Sequence, residues 1–180
     1  MKSLCRKPYS FWVLLSLALI WSLPCSADSS PEFDSQFRYS TERFLIPHYG
    51  ADWRLLKAQG IAESRLDPKA VSPVGAMGVM QFMPATWAQV SQQLGLNASP
   101  YDPTANIIAG GFYMRRLLDQ FKSPRPPEDR RRWAWSAYNW GIGNVLKAQN
   151  KASGATDWWY IRPYLPQETI VYVYSIEKER

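Results

Sequence analysis

From residue 52 onward, apolar side chains recur three and four positions apart and seldom at every second position, which predicts helices rather than strands. Asp52 is placed to cap a helix reaching about Arg65, with Ala51, Leu55, Ala58 and Ala62 as its core-facing stripe and Glu63 at the edge of that stripe. Asp67-Pro68 ends it, because the residue before a proline is pushed out of the α region. Gly60 inside this helix is unfavourable by about 1 kcal/mol relative to alanine and marks a close approach by a neighbour. Pro68 to Phe82 reads as loop, punctuated by Pro73, Gly75 and Gly78. Pro84 then opens a helix carrying Trp87, Val90 and Leu94 to a stop at Gly95. The next helix follows Tyr101-Asp102-Pro103, and its stripe of Ile107, Gly111, Met114, Leu118 and Phe121 is the most regular in the chain. Gly110-Gly111 on it permits close packing.

A proline-rich connector, Lys122 to Pro127, leads into a helix over about Glu128 to Asn139. Its acidic first turn suits the helix dipole. Trp133, Ala134, Trp135, Ala137, Tyr138 and Trp140 cover most of its circumference, so it should be largely buried. Gly141 and Gly143 bracket a break before a helix over Asn144 to Ala152. Trp158-Trp159-Tyr160 falls in a loop, and a final helix runs from Pro166 to about Glu179. Only Ile170 to Tyr174 alternates as a strand would. Before residue 51, Asp28 to Gln36 is polar, and Phe37 to Tyr49 predicts no more than a short helix or an irregular packing segment. The pattern describes a mainly α fold, one helical domain over 51–180, with residues 28–50 as an N-terminal leader.

Residues 1–27 have the pattern of a secretory signal: basic Lys2, Arg6 and Lys7, an apolar run from Phe11 to Trp21, and small residues at Cys25-Ser26-Ala27. The run is short for a membrane span. The chain is therefore expected to be exported to the periplasm, with extracellular release or a lipid anchor on Cys25 as alternatives. Both cysteines, Cys5 and Cys25, lie in this segment, so thiol catalysis and cysteine-ligated metals drop out of the mature chain. The formal charge of +6 falls to +3 once the three basic residues of the signal are removed. Arg130-Arg131-Arg132 is the only tight basic run, too little for a nucleic-acid binder. His48 is the sole histidine and cannot build a zinc site, so no metal and no cofactor are expected.

The candidate chemistry centres on Glu63. A carboxyl among small and apolar residues is costly to ionise, so its pKa should rise towards that of a useful proton donor. On spacing alone it could equally be a solvated helix-end glutamate or a partner of Arg65. Of nine tryptophans, only Trp12 and Trp21 fall in the signal. Indole and phenol rings suit the apolar faces of sugar rings. Trp87, Trp133 and Trp135, at helical spacing, read as core; Trp158, Trp159 and Tyr160 are better candidates for a groove wall. Gln81 and Asn139 bring amides suited to hydroxyl and acetamido groups.

Five motifs in order carry a resemblance: Glu63-Ser64; Gly75-Ala76-Met77-Gly78-Val79-Met80-Gln81 with Met83-Pro84; Asp102-Pro103 with Asn106-Ile107 and Gly110; Ala137-Tyr138-Asn139 with Gly141 and Gly143; and Leu165-Pro166 with Glu168-Thr169 and Tyr172-Val173. Together they resemble the soluble lytic transglycosylase family, over about Trp53 to Val173. The resemblance implies a lysozyme-like helical fold with a substrate cleft, and cleavage of the MurNAc–GlcNAc β-1,4 bond of peptidoglycan. It implies that Glu63 is the single acid/base and that the sugar's own C6 hydroxyl is the nucleophile, leaving a 1,6-anhydro end. By family position Ser72, Gln81, Met83 and Tyr138 line the cleft, with Tyr172 beside Glu63, while Asn139 and the glycines shape the site. Trp140 and Ile142 depart from the family, which usually has small residues or proline there, and bear on the local groove shape.

Two other readings compete. One is a lysozyme-type hydrolase in which Asp67, Asp102 or Glu168 activates water. The other is a peptidoglycan-binding scaffold of an envelope-spanning machine. The expected partner is the glycan strand, in the setting of a secretion or conjugation machine, with the protein acting as a monomer. Its size, and the lack of an appended domain, suggest a local opener of the wall.

Overall fold

The computed structural model describes residues 32–46 and 52–179. The signal segment, Cys25, His48 and Ala51 lie outside these. The described residues form eight α-helices and a short 3-10 turn, with isolated β-bridges at Val71–Met77 and Met77–Phe82 and no strand. None of these helices is long and apolar enough to cross a membrane.

Helix α1, Asp34–Phe44, lies within the stretch read as a leader, yet it buries Phe37, Ser40 and Thr41 in the core. Helix α2, Trp53–Ser64, begins at Asp52, whose carboxylate accepts from the Arg54 N–H at 3.0 Å as an N-cap should. Its buried face is Leu55, Leu56, Ala58, Gln59 and Gly60, while Ala62 is exposed, so the packed stripe is displaced from the expected one. The neighbour at Gly60 is the Phe37 ring, 3.0 Å from where a Cβ would stand. Lys57 and Asp34 pair across the two helices at 2.6 Å.

Helix α3, Pro84–Leu94, follows the loop and buries Trp87 and Val90. Helix α4, Pro103–Gln120, is capped by Asp102 and touches α1, α2 and α3; every residue of its expected stripe is buried. Its Gly111 is needed because α1 crosses there: a Cβ would collide with Ser40 Oγ, which itself donates to Ile107 O at 3.0 Å. Helix α5, Pro127–Trp140, packs on α4 and on α6, Ile142–Lys151. Trp133 and Trp135 are core, as their spacing predicts.

Two aromatic and β-branched stretches differ from expectation. Trp158-Trp159-Tyr160 is not loop but helix α7, Trp158–Ile161, continued by a 3-10 turn over Arg162–Tyr164. Asp157 and Asp129 supply the acceptors that its first N–H groups need. Ile170 to Tyr174 lies inside α8, Gln167–Lys178. There Thr169, Tyr172, Val173 and Ile176 form a buried face at helical spacing, and that packing overrides the strand preference of Ile, Val and Tyr. Helix α8 packs on both α5 and α2, which brings the end of the chain to Glu63.

The loop between α2 and α3 is stapled to α4 by Asn106. This buried side chain accepts from the Met80 N–H at 2.7 Å and donates to Pro100 O at 2.7 Å. Gly78 has φ 74° and lies so close to Pro100 O and Asn106 that no side chain fits. Replacing Asn106 by alanine strands the buried Met80 N–H, so Asn106→Ala is expected to lose about 2–3 kcal/mol of stability. Urea titration of both proteins measures this.

Candidate active site

Glu63 occupies the last turn of α2. The chain reverses immediately behind it through two successive left-handed residues, Arg65 at φ 56° and Leu66 at φ 66°. That conformation is unfavourable for side chains bearing a Cβ, and the burial of Leu66 in the core holds it. Ser64 Oγ donates to Val79 O at 2.8 Å and so fixes the loop against the end of the helix.

Tyr172 of α8 donates its hydroxyl to Glu63 Oε1 at 2.5 Å. Tyr138 of α5 is close enough for the Glu63 charge to raise its own pKa, and its hydroxyl donates to Met80 O at 2.7 Å. The carboxyl therefore lies among two phenols and apolar walls. Loss of hydration pushes its pKa from 4.5 up to about 7, against the opposing hydrogen bond from Tyr172. Both phenols are themselves pushed well above 10, first by burial and then by the facing carboxylate. Near neutral pH such a group can both deliver and retrieve a proton. With Oε1 accepting from Tyr172, the acid's proton belongs on Oε2.

The remaining residues singled out in the sequence take other positions. Ser72 Oγ accepts from the Ala76 N–H at 2.9 Å and closes a turn of the loop. Gln81, left-handed at φ 47°, gives its amide N–H groups to Gly78 O at 2.9 Å and Ala70 O at 3.3 Å, which leaves its carbonyl oxygen for a ligand. Met83 is 43% exposed just before α3. Glu63 itself opens on a groove of about 520 Å³, lined by Ile61, Ala62, Ser64, Arg65, Ser175 and Glu179, and none of Ser72, Gln81, Met83 or Tyr138 lines it. Asn139 is exposed, and its Oδ1 accepts from Thr169 Oγ1 at 2.8 Å, which joins α5 to α8. Trp140 and Ile142 pack, partly buried, against the core.

The aromatic trio needs correction. Trp158 is fully buried, its indole N–H donating to Ser136 Oγ at 2.9 Å, so it is core and not a groove wall. Trp159 is 47% exposed but borders a separate groove with Arg125, Asp129 and Arg132. Tyr113, which the sequence pattern does not single out, packs edge-on against Tyr138 at 5.3 Å and tilted against Phe82 at 6.0 Å. Its signal was weak: it adjoins Met114 of the α4 stripe without belonging to it. Asp67 and Asp102 are committed to backbone N–H groups, of Lys69 and Ala105 respectively, and Glu168 is exposed in the first turn of α8.

A carboxyl whose folded pKa exceeds its unfolded value favours folding while protonated, and that contribution is lost as pH rises through the folded value. The rise from 4.5 to about 7 corresponds to about 3 kcal/mol. Glu63→Gln should therefore unfold less readily than wild type at pH 8, with the difference shrinking towards pH 4; thermal unfolding across pH reads this directly.

The Transglycosylase SLT domain family model matches residues 44–161. A membrane-bound lytic murein transglycosylase F 1 of Alkalilimnicola ehrlichii is 38% identical over 149 residues, covering 78% of this chain and 27% of that protein. A membrane-bound lytic murein transglycosylase F of Alcanivorax borkumensis is 33% identical over 144 residues, covering 77% of this chain and 28% of that protein. The chain thus spans about a quarter of the length of these relatives. The crystal structure of the 70 kDa soluble lytic transglycosylase of Escherichia coli superposes with a TM-score of 0.68 at 27% identity, over 83% of this chain and 23% of that one. A complex of the 70 kDa soluble lytic transglycosylase with bulgecin A gives 0.64 at 25% identity, over 82% and 23%. Family model, relatives and helical architecture agree, and the chain belongs to the transglycosylase SLT family.

Proposed function

We propose that this chain is a peptidoglycan lytic transglycosylase, cleaving the β-1,4 bond between MurNAc and GlcNAc without water. Glu63 delivers the Oε2 proton to the glycosidic oxygen as that bond breaks. The resulting carboxylate then takes the proton of the muramyl C6 hydroxyl while its oxygen closes on C1, giving a 1,6-anhydro end and restoring the acid. Tyr172 holds the carboxyl in one orientation throughout. By family position Tyr138, the Gln81 carbonyl oxygen, Ser72 and Met83 are assigned to the sugar, although none of them lines the groove onto which Glu63 opens. Residues 1–27 export the chain, and the glycan strands of the envelope are its partner.

One observation carries this reading: a carboxyl at the end of α2, hydrogen-bonded to the Tyr172 phenol and held at a pKa of about 7 mainly by desolvation. A hydrolase of the two-carboxylate kind needs a second acid to activate water. Of the three candidates for that task, Asp67 and Asp102 cap turns and Glu168 faces solvent, while Glu179, which does line the groove, is exposed at the C-terminal end of α8. An intramolecular nucleophile removes the need. The names of the relatives, each a lytic murein transglycosylase, support the same substrate.

Mass analysis of muropeptides released from purified walls should find anhydro ends, lighter by one water than reducing ends; reducing ends alone would refute the mechanism. Glu63→Gln should still bind walls but clear them at least about 100-fold more slowly. Because the acid must be protonated at the first step, the clearing rate should fall as pH rises through about 7; a rate still climbing above that pH contradicts the assignment.

A further inference from the structure

Gln59 lies on α2 four residues before Glu63, and so on the same side of the helix, one turn below it. It is 0% exposed, yet neither amide atom has a hydrogen-bond partner among the described residues. A buried, unsatisfied amide is unfavourable relative to a hydrocarbon of the same size. On one side Gln59 borders a cavity of about 20 Å³ walled by apolar side chains, Leu55, Leu56, Met114, Leu118 and Trp135 among them, together with Asp52 and Arg131. On the other side stands Tyr172, and the amide approaches it closely enough to oppose the rise of the phenol's pKa. The approach nevertheless falls short of a formed hydrogen bond.

We infer that Gln59 is a positioning residue for the Glu63–Tyr172 pair, its amide N–H closing on the Tyr172 hydroxyl as Glu63 gives up its proton. The inference rests on the reading of Glu63 as proton donor. Tyr172 has one hydroxyl proton, donated to Glu63 Oε1. While Glu63 is neutral that bond draws little electron density from the phenol, and the amide N–H remains loose. Once the Oε2 proton has passed to the leaving oxygen, the carboxylate pulls harder on the Tyr172 proton. The phenol oxygen becomes a better acceptor, and Gln59 Nε2 bonds to it. A hydrogen bond that is stronger in the charged state than in the resting state lowers the barrier between them. It also keeps the phenol proton turned to Glu63.

Other ionisable groups face this assembly. They are Tyr138 of α5 with Tyr113 of α4 behind it, Arg65 and Glu179 at the groove, Asp52 and Arg131 across the small cavity, and the Lys57–Asp34 pair towards α1.

The test is Gln59→Met in the full chain, with Gln59→Leu beside it, each in wild-type and Tyr172→Phe backgrounds. Thermal unfolding and wall clearing across pH are measured for all. Both variants should unfold at the wild-type temperature or above it, because a buried orphan amide is replaced by hydrocarbon. Clearing should drop about tenfold, and the alkaline limb of its pH profile should move up by about half a unit. Both effects should vanish in the Tyr172→Phe background, since the amide acts only through that hydroxyl. Loss of folding in both variants, an unmoved pH limb, or effects that add to those of Tyr172→Phe would make Gln59 a core residue only and overturn the inference. Clearing by Glu63→Gln would overturn the reading of Glu63 and this inference with it; additivity beside an inactive Glu63→Gln overturns this inference alone.

Discussion

Two side chains hold the Met80 backbone. Its N–H is taken by Asn106 Oδ1 from α4, and its C=O accepts from Tyr138 Oη on α5. Both bonds are at least partly buried, where leaving either group unpaired is costly. They pin the loop after α2 against the two central helices, and the loop in turn covers the end of α2 through Ser64 and Val79. That roof adjoins the helix end that carries Glu63, whose pKa is raised mainly by desolvation.

The site is thus a balance between desolvation and one hydrogen bond. Burial raises the Glu63 pKa, and Tyr172 restrains the rise, leaving it at about 7. Each phenol has a second task beyond the carboxyl. Tyr138 fixes the roof by donating to Met80. Tyr172 belongs to the buried face that packs α8 on α2 and α5. The surroundings of the carboxyl and the core packing therefore share side chains.

Much of this was legible in the chain itself. Asp52 caps α2 where its spacing put it, α4 begins after Asp102 as expected, and its stripe is buried along its whole length. These are local effects: a cap needs only its own first turn, and a regular apolar period has one best solution. The expectations that differed share the opposite property. Trp158 looked like a loop aromatic because nothing nearby announces Ser136 and Asp129 as partners for its two N–H groups. Helix α1 carries no clean period because part of its buried face is polar, Ser40 and Thr41, with Ser40 packed against Gly111. Ser72 and Gln81 have the residue types of ligand contacts, but much of their hydrogen-bonding capacity closes the loop that carries them.

The order of helices α2 to α6 and α8 and the Asp52 cap followed from sequence alone, because each depends on neighbours within a few residues. The strength of the Glu63 acid did not. Its pKa is set by desolvation and by a phenol 109 residues away in the chain. Whether Gln59 reads as an odd polar residue in a core stripe or as a group aimed at that phenol is likewise decided by the crossing of α8 over α2. Electrostatic work depends on all nearby atoms whatever their place in the chain, so only the assembled fold determines it.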